Sequence, residues 1–416
     1  MISIRWPRWV LVCAGILIFS LAGYAGAVQP ARSGLAQALI QAWQLHPQAA
    51  ALDARAAEAS ATQDVAAGPT PEPGSVSIGS RSDRLSHDLG KQEYEFEVAA
   101  PLWLPGQKAA RELEAASRVT EVAAKRTAMR LELAGELREA WWALAAARNA
   151  DALAARRLET ARALAADVQR RYKAGELSRI DANLAQTEVH AAGADVIEAG
   201  ATLLQAEQAL HALTGVAAPT DTPEESATVR RVRKGTQDLQ DEHPQLAAAA
   251  AASRSAHARV TVADQSQRAA PELALRVVRE RGDAAEPYSN SVGIRLKIPF
   301  SSGAQVRREN SAARADAAQA DSEILRIQTR VRLELERAER TLQSSQRQFV
   351  MAQERRELSA ENLRLSEKAF SLGESDLATL LRIRAAAFDA EAFLSRQNVA
   401  RAAAISRLNQ ALGVLP

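Results

Sequence analysis

The sequence predicts a mainly α-helical fold with a small β part, built as a tandem repeat of long coiled-coil helices. Three observations predict it. His46-Pro47-Gln48-Ala49-Ala50 recurs as His243-Pro244-Gln245-Leu246-Ala247, an offset of 197. Two Ala/Glu/Arg-rich stretches of about 65 residues run almost free of Gly and Pro, far beyond the average helix of about 11 residues. Four short stretches alternate apolar with polar residues, as the two faces of a strand require.

The chain has 416 residues, 47% of them hydrophobic but only 4% aromatic, so its apolar content is mostly alanine and leucine. Charged residues make up 25% and nearly cancel, leaving a net charge of +2. That balance argues against an electrostatic nucleic-acid binder. Arg5 and Arg8 precede the apolar run Trp9 to Leu21, and Ala25-Gly26-Ala27 offers a small-residue cleavage site. Residues 1–27 therefore read as a signal peptide, with an uncleaved anchor as the alternative. The only cysteine, Cys13, lies within it, so neither a disulfide nor a lipid anchor is expected. No later stretch of about 20 apolar residues could span a bilayer as a helix.

Residues 28–215 form the first structural repeat, 216–242 a linker or equatorial segment, and 243–416 the second repeat. The landmarks keep one spacing: Pro101 with Pro299, Gly106 with Gly303, Gly175 with Gly373, and Leu213-Thr214-Gly215 with Ala411-Leu412-Gly413. In each repeat His-Pro starts a helix, since proline fits the first helical position. The first runs from Pro47 to Ala66 and ends in a Pro/Gly-rich break. Strands follow near Ser75 to Ser80 and Lys91 to Leu102. A long helix begins after Pro105-Gly106 and lasts to Gly175, and a return helix spans Ser178 to Leu213. The second repeat places strands near Glu272 to Arg279 and Ser289 to Phe300, a long helix over Ala304 to Phe370, and a return helix over Asp376 to Leu412. A helix of about 65 residues is a rod of roughly 100 Å. Each return helix is about half that length, so each rod should lie beside two shorter helices stacked end to end. Trp141 and Trp142 read as packing anchors on the first rod.

In "KQEYEFEV", Tyr94, Phe96 and Val98 share one strand face, and Glu93, Glu95 and Glu97 share the other. The last strand repeats this with opposite charge. Val292, Ile294, Leu296 and Ile298 lie opposite Ser291, Gly293, Arg295 and Lys297. Four strands cannot close a barrel, and an open sheet edge does not survive in lipid. A trimer would supply about 12 strands, enough for a transmembrane β-barrel with an apolar outer band and a wet lumen. Glu93, Glu95, Glu97, Arg295 and Lys297 are then lumen-facing, and the two basic residues could pair with the glutamates. The alternative is the solvated face of a small extracytoplasmic sheet.

"YKAGELS" and "FSLGES" mark two helix-hairpin turns, each stopped by a glycine suited to the left-handed conformation. Ser178 should cap the return helix, with Asp181 completing a capping box. Pairing Ser178 with Ser375 makes the second turn one residue shorter.

Taken in order, the duplicated His-Pro starts, the junctions "PLWLPGQKAAR" and "IPFSSGAQVRREN", and the turns "YKAGELSRID" and "FSLGESDLATLL" resemble the TolC-like outer-membrane efflux protein family. The resemblance covers nearly the whole mature chain. It implies a homotrimer in the outer membrane of a Gram-negative bacterium, with a 12-stranded barrel in outer-membrane lipid continued into a periplasmic α-helical barrel. It further implies two partners, a periplasmic adaptor (membrane fusion protein) and an inner-membrane RND-type pump. Carried over by position, Gly175, Leu177, Ser178, Gly373, Glu374 and Ser375 are the adaptor-facing tip turns. The family's paired gate aspartates are not reproduced; Thr379 and Arg382 lie near those places. Asp181 and Asp376 are the nearest carboxylates and the candidate tip constriction. The first junction looks more like the cobalt-zinc-cadmium exporter branch than the drug-efflux branch.

Enzyme signatures are missing. There is no glycine-rich phosphate loop, no HExxH and no G-x-S-x-G elbow. His87, His190, His211 and His257 are scattered. No catalytic residue, cofactor or metal site is expected, and a passive duct needs none. Drug efflux and type I protein secretion are alternative duties for the same duct. A periplasmic adaptor would need one hairpin set in larger β domains, and a soluble coiled-coil scaffold leaves the strands unexplained.

Overall fold

A computed structural model describes residues 34–86, 88–217, 225, 243–266, 268–300 and 302–416. The expected leader, most of the linker, and His87 lie outside the described residues. The first repeat holds α1 (Gly34–Leu45), α2 (Pro47–Ala67), β1 (Ser75–Ser82), β2 (Gln92–Pro101), α3 (Gln107–Lys173) and α4 (Arg179–Thr214). The second holds α5 (Pro244–Gln265), β3 (Glu272–Arg281), β4 (Ser289–Lys297), α6 (Gly303–Ser371) and α7 (Leu377–Ala411).

His46 and His243 occupy the N-caps of α2 and α5, each followed by proline in the first turn. His46 Nδ1 accepts a hydrogen bond from the Gln48 amide at 3.3 Å. Helix α1 has no counterpart among the described residues of the second repeat, and the sequence reading did not place it. It buries Leu35, Leu39 and Trp43 against Leu133, Leu137 and Trp141 of α3, with Leu52 of α2 and Leu210 of α4 in the same core. Full burial of each leucine contributes roughly 1.5–3 kcal/mol. Trp142 turns to Ala403 of α7, so the neighbouring tryptophans of α3 bind separate partners.

Rod α3 packs along α2 and α4, and rod α6 along α5 and α7. The shorter helices meet end to end at two glycines. Gly413 has φ +75°, and a Cβ there would lie 2.7 Å from Pro244 Cδ at the start of α5. Gly215 has φ +70°, and its Cβ would lie 2.5 Å from Leu45 Cδ1, just before α2. Backbone conformation favours glycine at both joints, and at Gly413 close approach to the Pro244 ring requires it a second time.

The α6 seam shows why these rods pair. Its buried positions Val331, Ala338, Ser345, Ala352 and Ser366 fall on one seven-residue register. A sustained heptad wraps helices into a coiled coil, and small seam residues let backbones approach. No described helix is long and apolar enough to cross a membrane.

The strands form one antiparallel sheet in the order β1-β2-β3-β4, with β1 and β4 at its edges. All four helix connections enter at one end, and the hairpin turns lie at the other.

Candidate functional site

The register of the sheet sorts its side chains into rows. Val76, Val98, Leu275 and Ile294 form one apolar row, and Ile78, Phe96, Val277 and Val292 the next. All eight side chains are exposed in the single chain. The opposite face is charged and, on the central strands β2 and β3, more enclosed. Glu97, only 4% exposed, is the most enclosed of the three glutamates of β2. This inverts a soluble sheet, where the apolar face is the covered one.

The three glutamates of β2 each find a basic partner. Arg276 reaches diagonally from β3 to Glu95 at 2.7 Å and to Glu93 at 3.5 Å. Arg81 of β1 approaches Glu93 at 3.6 Å. Arg295 donates to Glu97, the pairing expected between the second-repeat cations and the glutamates. Lys297 stands opposite Glu272 at the helix end of the sheet. Arg276 and Arg81 were missed by sequence reasoning. In β3 the charged face reads Ala274, Arg276, Val278, with no charge alternation to mark it.

The two helix turns share one backbone design. The Gly175 amide donates to Tyr172 O and the Glu176 amide to Arg171 O. Gly373 and Glu374 repeat this to Phe370 O and Ala369 O. Gly175 and Gly373 have φ +82° and +76°, with open space around the missing Cβ. Ser178 and Asp181 form the expected capping box, with Ser178 N donating to Asp181 at 3.0 Å and Asp181 N to Ser178 Oγ at 3.2 Å.

In the second turn the cap is Asp376, whose carboxylate accepts from the Thr379 amide at 2.8 Å. The turns are therefore equal in length, and the expectation of a shorter second turn is corrected. Serine and aspartate do the same capping work, so Asp376 matches Ser178 and Ser375 matches Leu177. Hydrogen bonds from Thr379, side chain and then backbone, hold the Asp376 carboxyl below the usual range. Asp181 and Asp376 thus both serve as helix-cap groups.

A shared core holds the turns together. Leu164 and Val168 of α3, Ala185 of α4, Phe370 of α6, and Leu377 and Leu380 of α7 form one buried cluster, with Leu177 partly buried against it. Arg171 stacks on Phe370 at 5.0 Å and pairs with Glu176 at 3.1 Å. Gly175, Ser178, Gly373 and Glu374 remain exposed, while Leu177 and Ser375 are half-buried.

Neither region resembles a reaction centre. His257 meets Asp321 at 3.1 Å, and His190 meets Gln186 at 3.2 Å. Among the described residues no group of three or more His, Cys, Asp or Glu could hold a metal ion.

No protein-family model matches the sequence, and no curated protein matches it. Solved structures do match in fold. CusC shares 15% identity at a TM-score of 0.75, over 91% of this chain and 92% of that one. The outer membrane protein VceC from Vibrio cholerae shares 16% at 0.73, over 91% and 96%. The open state of the Neisseria gonorrhoeae MtrE outer membrane channel shares 17% at 0.71, over 91% and 89%. The chain therefore has the fold of TolC-like outer-membrane channels along nearly its whole length.

Proposed function

We propose that this chain is the outer-membrane exit duct of a tripartite efflux system and not an enzyme. The observation that carries the reading is the inverted sheet. Its apolar rows face outward, its paired charges face inward, and both edges are open at a place where rods of about 100 Å begin. Three copies joined edge to edge would close a 12-stranded barrel, leaving no unpaired strand in lipid.

The helices also ask for neighbours. Met351, Leu358 and Leu365 form an exposed heptad stripe on α6, continued by Leu372 at its C-cap, and Ile197 and Leu204 form an exposed pair at the same spacing on α4. Packing α6 of one copy against α4 of the next would bury both and continue the ring as an α-helical tunnel.

The mechanism is passive conduction. Glu93, Glu95, Glu97, Arg81, Arg276, Arg295 and Lys297 line the wet lumen. Each glutamate of β2 has a guanidinium beside it, so that stretch of wall stays hydrated without bare carboxylates to retain a cation. Energy comes from an inner-membrane RND-type pump through a periplasmic adaptor. Gly175, Leu177, Ser178, Gly373, Glu374 and Ser375 form the adaptor-facing tip, and Asp181 and Asp376 its constriction. The open space at the two glycines leaves room for close backbone approach by the adaptor.

Divalent metal cations are the proposed cargo, supported by the resemblance of "PLWLPGQKAAR" to the metal-exporter branch. A deletion strain with plasmid rescue, grown across divalent metals, dyes and antibiotics, tests this. Rescuable sensitivity confined to cobalt, zinc, cadmium or nickel is expected. Sensitivity to dyes and antibiotics would replace metal cargo with drug efflux.

A further inference from the structure

The arginines of the sheet divide by face. On the wet face, Arg81, Arg276 and Arg295 all have glutamate partners. On the apolar face, Arg279 and Arg281 of β3 have no carboxylate at ion-pair distance among the described residues. They continue the Leu273, Leu275, Val277 side of the strand, and Arg279 lies two residues, about 7 Å, past the last apolar row. They sit at the end of the sheet away from the helices, which is the outer end of the barrel.

These side chains are held in place. Arg279 lies over the Tyr288 ring at 4.7 Å and Arg281 over the same ring at 5.0 Å. Tyr94 packs against Tyr288 at 6.4 Å between centroids. Tyr288 donates its hydroxyl to Gln92, and Arg281 Nε donates to Gly90 O at 3.0 Å. Stacking uses the flat face of a guanidinium and leaves its in-plane N–H groups free for planar anion recognition. The two acids of the β3–β4 loop accept hydrogen bonds from their own loop amides. Asp283 accepts from the Ala285 and Glu286 amides, and Glu286 accepts from the Gly282 amide. Two cations facing lipid at a membrane rim, without a carboxylate partner among the described residues, call for an anion supplied by the membrane.

The geometry points to Arg279, Arg281, Tyr94 and Tyr288 as a docking site for the phosphorylated headgroup of an anionic lipid in the outer leaflet. This inference rests on the outer-membrane reading above. Phosphate oxygens meet the guanidinium edges, the acyl chains run down over Phe96 and Val277, and the tyrosine rings sit at the headgroup level.

The test extracts the full-length protein from outer membranes in mild detergent and counts bound lipid A per chain by mass spectrometry. Retention by the wild type is expected. The Arg279→Gln/Arg281→Gln double variant is expected to retain about tenfold less, as loss of charge-assisted contacts implies. Arg279→Lys/Arg281→Lys, which keeps the charge, should retain more than the Gln variant. Dephosphorylated lipid A should bind the wild type no better than the Gln variant, a difference that mere cation–π packing of the hairpin would not produce. Equal retention by the wild type and a membrane-inserted Gln variant overturns the site. Displacement of the lipid by millimolar inorganic phosphate overturns the lipid assignment in favour of a free-anion site. A wild-type chain found only in the aqueous fraction overturns the outer-membrane reading itself, and this inference with it.

Discussion

Arg138, midway along α3, is bound at 2.8 Å to Glu225 of the segment between the repeats, and both side chains are buried. Arg138 also donates to Val414 O at 3.0 Å and to the Gln410 side chain, while Ser406 donates to Glu225. One guanidinium thus joins the first rod, the inter-repeat segment and the end of the second repeat.

Removing one partner of such a pair strands the other charge. Glu225→Ala is expected to lower stability by about 3–5 kcal/mol. Replacing Arg138 and Glu225 together with apolar residues should recover much of that loss. Thermal or denaturant unfolding of the extracted protein measures both. A Glu225→Ala protein as stable as the wild type would refute this role.

Four of the left-handed glycines predict two classes of variant. Gly175→Ala and Gly373→Ala meet open space and should cost about 1–2 kcal/mol from backbone strain alone. Gly413→Ala adds a collision with the rigid Pro244 ring and should cost clearly more, whereas Gly215→Ala meets only the tip of the exposed Leu45 side chain and should cost about as much as the first two. Ranking the four unfolding midpoints checks this, and equal midpoints would contradict the close joint at Gly413.

Glu139 and Arg407 form a half-exposed ion pair at 2.7 Å between α3 and α7. The hydrogen bond from Arg407 holds the Glu139 carboxyl below its ordinary 4.5. A carboxylate more acidic in the folded state contributes stability above the unfolded value and loses it as pH falls through the folded one. Glu139→Gln should therefore cost under about 1 kcal/mol at neutral pH after screening. The difference from the wild type should vanish below the usual glutamate range, and added salt should shrink it.

Phe96 and Glu95 are sequence neighbours on opposite faces of β2. Phe96→Arg places a charge in lipid and should cost roughly 2–4 kcal/mol if the residue lies near the bilayer midplane. Glu95→Gln, on the wet face, should fold and insert normally. Yield of inserted protein separates the two.

Particular residues show what the sequence revealed. Strict alternation made β2 and β4 visible, and His-Pro starts and left-handed glycines marked the helix ends, because local sterics decide those features. Helix α1 was not placed although Gln29-Pro30-Ala31-Arg32-Ser33 precedes Gly34, a proline-bearing polar break of the kind that marks a helix start. The second turn was misaligned because chemical likeness paired serine with serine, whereas capping accepts aspartate equally. The Arg138–Glu225 pair spans 87 residues, and neither local sequence signals the other. The wet-face glutamates were read from period alone, but their partner Arg276 depended on a strand register that sequence does not supply.

The most direct measurement is cysteine labelling along β2 in intact outer membranes. Single variants from Tyr94→Cys to Val98→Cys would be exposed to a water-soluble, membrane-impermeant thiol reagent. Labelling at position 95, and more weakly at the enclosed position 97, with protection at 94, 96 and 98, is the predicted result. Labelling without a two-residue period, or labelling at 94, 96 and 98 instead, would contradict a sheet whose apolar face meets lipid and whose glutamates line water.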